Sequence, residues 1–310
     1  MSPLHPARLE RYDSLFIAPH GDDVALACPA RVLAEAESGR RALVLALFEP
    51  VDSEANAARA ARGLGGDFAA AGLAPASGPG ASDQTAPTHD AALAAARLLA
   101  EIGPRVQPLH VYAPLGLGGS VDHRLAYDAS LRAFAGEAGR NLFLYEERPE
   151  AFVPGAVRTR LALLGARLPP GAAKSAERAN VLRHLWRVGE PERLRGERMG
   201  MGARFAARAE AWRRHRLAAP WNPLRALGPR LHPVVHLADE DARARAQAAA
   251  HLLLPKDRKG RSRAAERFNA RASAAAKKLG GVYHAERFWL VLPSSDGLPE
   301  IQHPLEAAGR

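Results

Sequence analysis

Two short polar turns carry the residue types that do chemistry. The first interrupts "SLFIAPHGDDVALACPARVLAE" (14–35), where apolar residues run into His20, Asp22 and Asp23 and then into a helix-like stretch. The second, "LGLGGSVDH" (115–123), ends in Ser120, Asp122 and His123. An imidazole and two carboxylates at the point where a buried strand turns into a helix need solvation or a partner. His20 and Asp23, three positions apart at a turn, can reach one ion, and His123 from a distant strand end would complete the set. Two imidazoles and a carboxylate suit zinc and leave room for water, although iron, cobalt or nickel accept the same donors. Asp22 is then a spare carboxylate, placed to take a proton from a water whose pKa the metal has lowered to about 7. A plainer use stands beside this one: aspartates cap helices, and Asp22 or Asp23 could serve only that purpose.

These turns need elements to position them. Leu15–Ala18 and Ala42–Phe48 are apolar at every position, the pattern of strands covered on both faces in a parallel sheet. Leu109–Tyr112, Leu142–Tyr145, His232–Leu237 and Arg287–Leu292 complete the strand-like segments. Helical patterns fall at Val24–Glu37, at 54–72, Asp90–Ile102, Asp122–Ala135, 239–253 and 261–279, with Pro29 tolerated in a first turn or at a kink. Residues 75–88 read as a Pro/Gly/Ser loop. The alternation predicts an α/β, Rossmann-like, mostly parallel sheet flanked by helices, whose sites form outside the carboxyl ends of the strands. Both polar turns would come to that edge. Between 155 and 229 apolar strands vanish, prolines and arginines accumulate, and Trp186, Trp212 and Trp221 are scattered among them. This is expected to be a helical, arginine-rich insertion within a single domain spanning 1–310. Its tryptophans suit a satellite core, or else a sugar platform or lid.

Composition narrows the function. With 47% hydrophobic and 25% charged residues the 310-residue chain reads as a soluble globular protein. It has no run of about 20 apolar residues to span a membrane and no secretory core in MSPLHPARLERYD, so a cytoplasmic location is expected. The single cysteine, Cys28, fits a reducing compartment and an inert buried thiol. A net charge of +10 suggests nucleic acid. No zinc-finger spacing, RNP-like strand or basic-zipper pattern accompanies it, so an arginine-rich solvated surface and no nucleic-acid partner are expected. A homo-oligomer is compatible with the sequence.

Four stretches, in order, resemble the PIG-L/LmbE-like family of zinc-dependent de-N-acetylases. APHGDDVALACPA resembles the family's "(A/P)HPDDE" signature, and APLGLGGSVDHRLAYDA its "HxDH" signature in the subgroup that reads GxGGHVDH. LFLYEERPEAF is similar to that subgroup's YEDxPYA stretch, and YHAERFW to its closing YAERYW. The resemblance covers roughly 1–155 and 230–292. It implies one zinc ion per chain held by His20, Asp23 and His123, with Asp22 as general base. Water activated at the metal would attack an acetamide carbonyl of an N-acetylated aminosugar conjugate, releasing acetate and a free amine.

The departures carry information. Gly21 replaces the signature's proline and Val24 its glutamate. Ser120 replaces a histidine thought to stabilise the oxyanion or protonate the leaving amine; a serine donates a hydrogen bond but carries protons poorly at neutral pH. His284, where the family usually has tyrosine, could substitute. Asp122 would hold a histidine's second nitrogen, cap its helix or touch substrate. Arg59, Arg62, Tyr145 and Glu146 are the remaining candidates for substrate contacts. Ser120 and Val24 set a second reading beside the first: a metal-retaining relative of weak or altered activity that acts as a binding protein.

Overall fold

A strand that is apolar on both sides must be covered on both sides, and the sheet is built around four such strands. The computed structural model describes residues 10–48, 54–75, 89–118, 120–169, 185–217, 228–277 and 285–293. β1 (Ser14–Ala18) and β2 (Ala42–Ala46) are buried at every position. With β3 (Asp67–Ala70), β4 (His110–Pro114), β5 (Asn141–Tyr145), β6 (Arg230–Leu237) and β7 (Ala285–Leu292) they form one seven-stranded sheet in the order β3-β2-β1-β4-β5-β7-β6. The first five strands run parallel, with Ser14 of β1 in register with Ala42 on one side and His110 on the other. β7 and β6 close that edge antiparallel. The fold is therefore α/β and Rossmann-like, a mostly parallel sheet flanked by helices.

The pleat sends alternate residues of each strand into opposite layers. Leu15 and Ile17, with Val111 and Leu144, pack under α4 (His89–Val106) and α5 (Val121–Phe134). Phe16 and Ala18, with Tyr112, face α1 (Asp23–Ala27), α2 (Pro29–Glu37) and α3 (Glu54–Gly63) on the other side. The C-terminal helix Glu240–Leu253 joins this second layer, and Arg263–Lys277 packs against it and against Leu26 of α1.

Two local expectations are corrected. The helix expected over Val24–Glu37 is two helices, because Pro29 lacks an N–H and occupies the first position of the second one. Glu286 of β7 accepts from the N–H groups of Ala30 and Arg31 at 2.7 and 2.9 Å, satisfying donors that α2 leaves bare at its start. Cys28 is buried at the break. The helix expected over 54–72 ends at Gly63 and is followed by strand β3. The turn between them uses Gly65 at φ +79°, and a Cβ there would stand 2.7 Å from Ala36 Cβ, so only glycine fits.

Between 155 and 229 the described residues are mainly helical. They comprise α6 (Ala156–Leu163), α7 (Glu190–Arg195) and α8 (Met201–Leu217), numbered so that the two C-terminal helices become α9 and α10. Trp186 and Trp212 are exposed, at 73% and 49%, and do not form a satellite core. Trp221 lies outside the described residues. Among the described residues no helix is long and apolar enough to cross a membrane.

Candidate metal centre

The strand order reverses at β1, which has β2 on one side and β4 on the other. In open α/β sheets ligands bind at that switch point, beyond the carboxyl ends of the strands. Both polar turns leave the sheet there. The first follows β1, and the second opens α5 after β4. The chain thus brings together residues a hundred positions apart.

His20, Asp23 and His123 each offer a ligand atom within 4.8 Å of the others. His20 Nδ1 lies 3.3 Å from Asp23 Oδ2, and His123 Nε2 lies 3.4 Å from the same oxygen. Bonds of about 2.0–2.1 Å around a tetrahedral zinc place neighbouring ligand atoms about 3.3 Å apart, the spacing at which Asp23 Oδ2 stands from each imidazole nitrogen. Each imidazole also turns its second nitrogen to a buried carboxylate. His20 Nε2 is 3.1 Å from Asp122 Oδ2, and His123 Nδ1 is 3.5 Å from Glu147 Oε1. A carboxylate hydrogen-bonded in this way, as Asp122 is to His20, fixes ring orientation and tautomer and raises ligand basicity; Glu147 faces His123 Nδ1 as a charge contact without a hydrogen bond. The residues fit a zinc ion.

Glu147 does more than face His123. It accepts from the N–H groups of Leu115, Gly116 and Leu117 at 3.0, 2.7 and 2.9 Å, holding the loop that delivers α5. Gly116 sits at φ +75°, where a Cβ would meet Arg160 Nη2 at 2.7 Å. The backbone N–H of His20 donates to Asp23 Oδ2 at 3.0 Å, which locks the first turn. The other oxygen of Asp23, Oδ1, is taken by Arg195 Nη2 at 3.3 Å, and the same guanidinium lies 3.8 Å from Glu150. Arg195 comes from α7, 172 positions along the chain, and no local pattern announces it.

Charge in the centre is set by these contacts. Burial opposes protonation of His20, but hydrogen bonds to Asp122 and Asp23 outweigh it and hold its pKa up at about 10. Burial likewise opposes ionisation of Asp23, yet His123, His20 and Arg195 together keep its pKa below the usual carboxylate range. Asp22 moves the other way: burial and the adjacent charge of Asp23 raise its pKa. It stands at the N-cap of α1 but makes no side-chain capping bond, so the carboxylate is not consumed by the helix.

The other sequence candidates are dispersed. Ser120 is the N-cap residue of α5 and likewise makes no side-chain capping bond. Tyr145 is fully buried, its hydroxyl donating to Ile17 O at 2.9 Å. Glu146 accepts from Trp289 Nε1 at 3.1 Å and lies 3.6 Å from Arg287, on the opposite side of the chain from its neighbour Glu147. Arg59 and Arg62 are exposed on α3. His284 lies outside the described residues. Glu147, Glu150 and Arg195 are the centre's residues that sequence reasoning did not name.

No family model matches the chain, and no curated protein matches it. Solved structures do share its fold. A deacetylase–teicoplanin complex aligns with TM-score 0.57 and 15% identity, over 91% of this chain and 99% of that one. A deacetylase triple mutant of the teicoplanin biosynthetic pathway gives 0.56 and 18%, over 92% and 99%. An antimicrobial pseudoaglycone deacetylase gives 0.53 and 17%, over 91% and 98%.

Proposed function

We propose that the chain is a zinc-dependent amidohydrolase that removes an N-acetyl or related N-acyl group from an aminosugar-type conjugate. The observation that carries this reading is the spacing of His20 Nδ1, Asp23 Oδ2 and His123 Nε2, with each imidazole backed by a buried carboxylate. Support comes also from the shared fold of several deacetylases. One of these was solved in complex with teicoplanin, and another, at TM-score 0.54 and 14% identity, is the zinc-inhibited form of teicoplanin deacetylase.

Held by His20, Asp23 and His123, a zinc ion would supply Lewis acidity toward a water and an amide carbonyl. Asp22 takes the proton from the attacking water and passes it to the nitrogen as the C–N bond breaks. Partial exposure keeps Asp22 open to substrate, and no capping bond competes for its oxygens. Asp122 and Glu147 keep the two rings in orientation. Arg195 occupies Asp23 Oδ1 and so presents Oδ2 alone to the ion. Ser120, not engaged in capping, donates a hydrogen bond to the developing oxyanion. The products are a carboxylate, acetate in the simplest case, and a free amine. The partner is a small molecule, and a cytoplasmic location agrees with a lone, buried thiol.

The test is acetate release from a panel of N-acetylated sugar conjugates, with zinc per chain measured in parallel. About one zinc per chain and release that disappears in Asp22→Asn are expected. Protein whose metal content is the same in His20→Ala and His123→Ala as in the parent would overturn the site, and absence of release across the panel would overturn the activity.

A further inference from the structure

The short helix α7 has two charged faces. Arg195 points to the metal centre, while Glu190, Arg193 and Leu194, three and four positions apart, share another face. That face forms one wall of a recess of about 550 Å³, bounded also by residues 186–188, by α8 and by α10. The volume lies within the range of small-molecule sites.

Its lining is unusual in charge. Five arginines line it, Arg187, Arg193, Arg204, Arg267 and Arg271, against one carboxylate, Glu190. Glu190 is shared by two of them: Arg187 Nη1 approaches to 2.9 Å, and Arg271 also pairs with it. Arg193, Arg204 and Arg267 make no ion pair among the described residues. Five cations converging in a concave, partly apolar wall repel one another and focus a positive potential into the space between them. Three unpaired guanidinium forks offer more donors than one carboxylate ligand can satisfy; they suit phosphate oxygens, which they bind two at a time. At the rim Trp186 is 73% exposed, with Arg208 5.5 Å from its ring, and it provides a stacking surface for a planar group.

We propose that this recess is a binding site for a small molecule carrying a diphosphate group and a planar or sugar moiety, the chemical class of a nucleoside diphosphate. The guanidinium groups of Arg193, Arg204 and Arg267 hold the diphosphate, and Trp186 packs on the remainder. Nucleic acid is the less suitable occupant, because the cations converge in a recess walled by helices and do not run along a face. The site does not depend on the hydrolytic reading of the metal centre.

Titration of the full chain with adenosine diphosphate, by calorimetry in metal-free buffer at fixed ionic strength, tests the assignment. Saturable one-to-one binding is expected, weakened about tenfold or more in Arg193→Ala/Arg267→Ala. It should be weakened a few-fold in Trp186→Ala and unchanged in His123→Ala. Both arginines are exposed, so their removal leaves the core intact; Arg97→Ala/Arg105→Ala, also exposed on α4, is the charge-matched control. The proposal is overturned by the absence of saturation, by an equal loss in the control, or by a loss in His123→Ala alone, which would put the diphosphate at the metal centre. Tighter binding of a DNA duplex through the same arginines would overturn it too.

Discussion

The two faces of α7 treat charge in opposite ways. Toward β1 and β4, each ionised group is met by another: Asp23 by two imidazoles and Arg195, His20 by Asp122, His123 by Glu147. Toward α8 and α10, five cations face one anion. A cluster whose charges are already answered holds its geometry before anything binds, which suits the metal site proposed for it. A cluster left unbalanced gains when an oppositely charged ligand arrives, which is what a capture site requires.

The contrast is sharpened most by Asp22→Asn. With the donor set intact, zinc content should stay at the parent level while acetate release falls by about 10²–10⁴; loss of zinc in this variant would make Asp22 part of the holding cluster. Glu286 offers the next largest effect, as a buried carboxylate outside both clusters. Burial first, against the partial relief of Arg148 and two backbone N–H groups, pushes its pKa up to about 7 from the 4.5 of an exposed glutamate. The folded state therefore binds this proton more tightly than the unfolded chain does. The stability Glu286 contributes is fully present below about pH 4.5 and is lost as pH rises through about 7, an effect of about 3 kcal/mol. Thermal unfolding followed across that window should show the decline, and Glu286→Gln should flatten it.

Glu147→Gln keeps shape but weakens the outer support of His123, so zinc affinity should drop by about 10–100-fold. The matching change Glu190→Gln, across the helix, should leave zinc affinity where it was. Competition with a chromophoric chelator reads both. The smallest effects separate two arginines on one helix. Arg195→Ala leaves Asp23 and Glu150 short of a donor and should cost about 1–3 kcal/mol in denaturant unfolding. Arg193→Ala should fall within about 0.5 kcal/mol of the parent. Equal costs for the two would erase the distinction between the faces.

Much of the frame was legible because its causes are local. β1, β2, β4 and β5 announce themselves as apolar runs, and the two polar turns mark the strand ends they follow. The edge strand β3 did not, because Asp67–Ala70 follows an alanine-rich helix and only the glycines at 63, 65 and 66 mark the change. Within the centre, residues three apart at a turn could be grouped from spacing alone. Glu147 could not be distinguished from Glu146, since adjacent residues at a strand end point to opposite sides and nothing local says which side holds the partner. Arg195 was beyond reach for a different reason: its contact spans 172 positions and is made by the fold.

Cys28 gives the chain a practical advantage for labelling. It is the chain's single thiol, enclosed where α1 gives way to α2, and burial together with the nearby charge of Glu286 raises its pKa well above that of a free thiol. A maleimide reagent therefore meets no reactive native sulfur. One cysteine introduced at an exposed position becomes a unique address, and Arg198→Cys, just past α7, would carry a fluorescent label beside both charged faces at once.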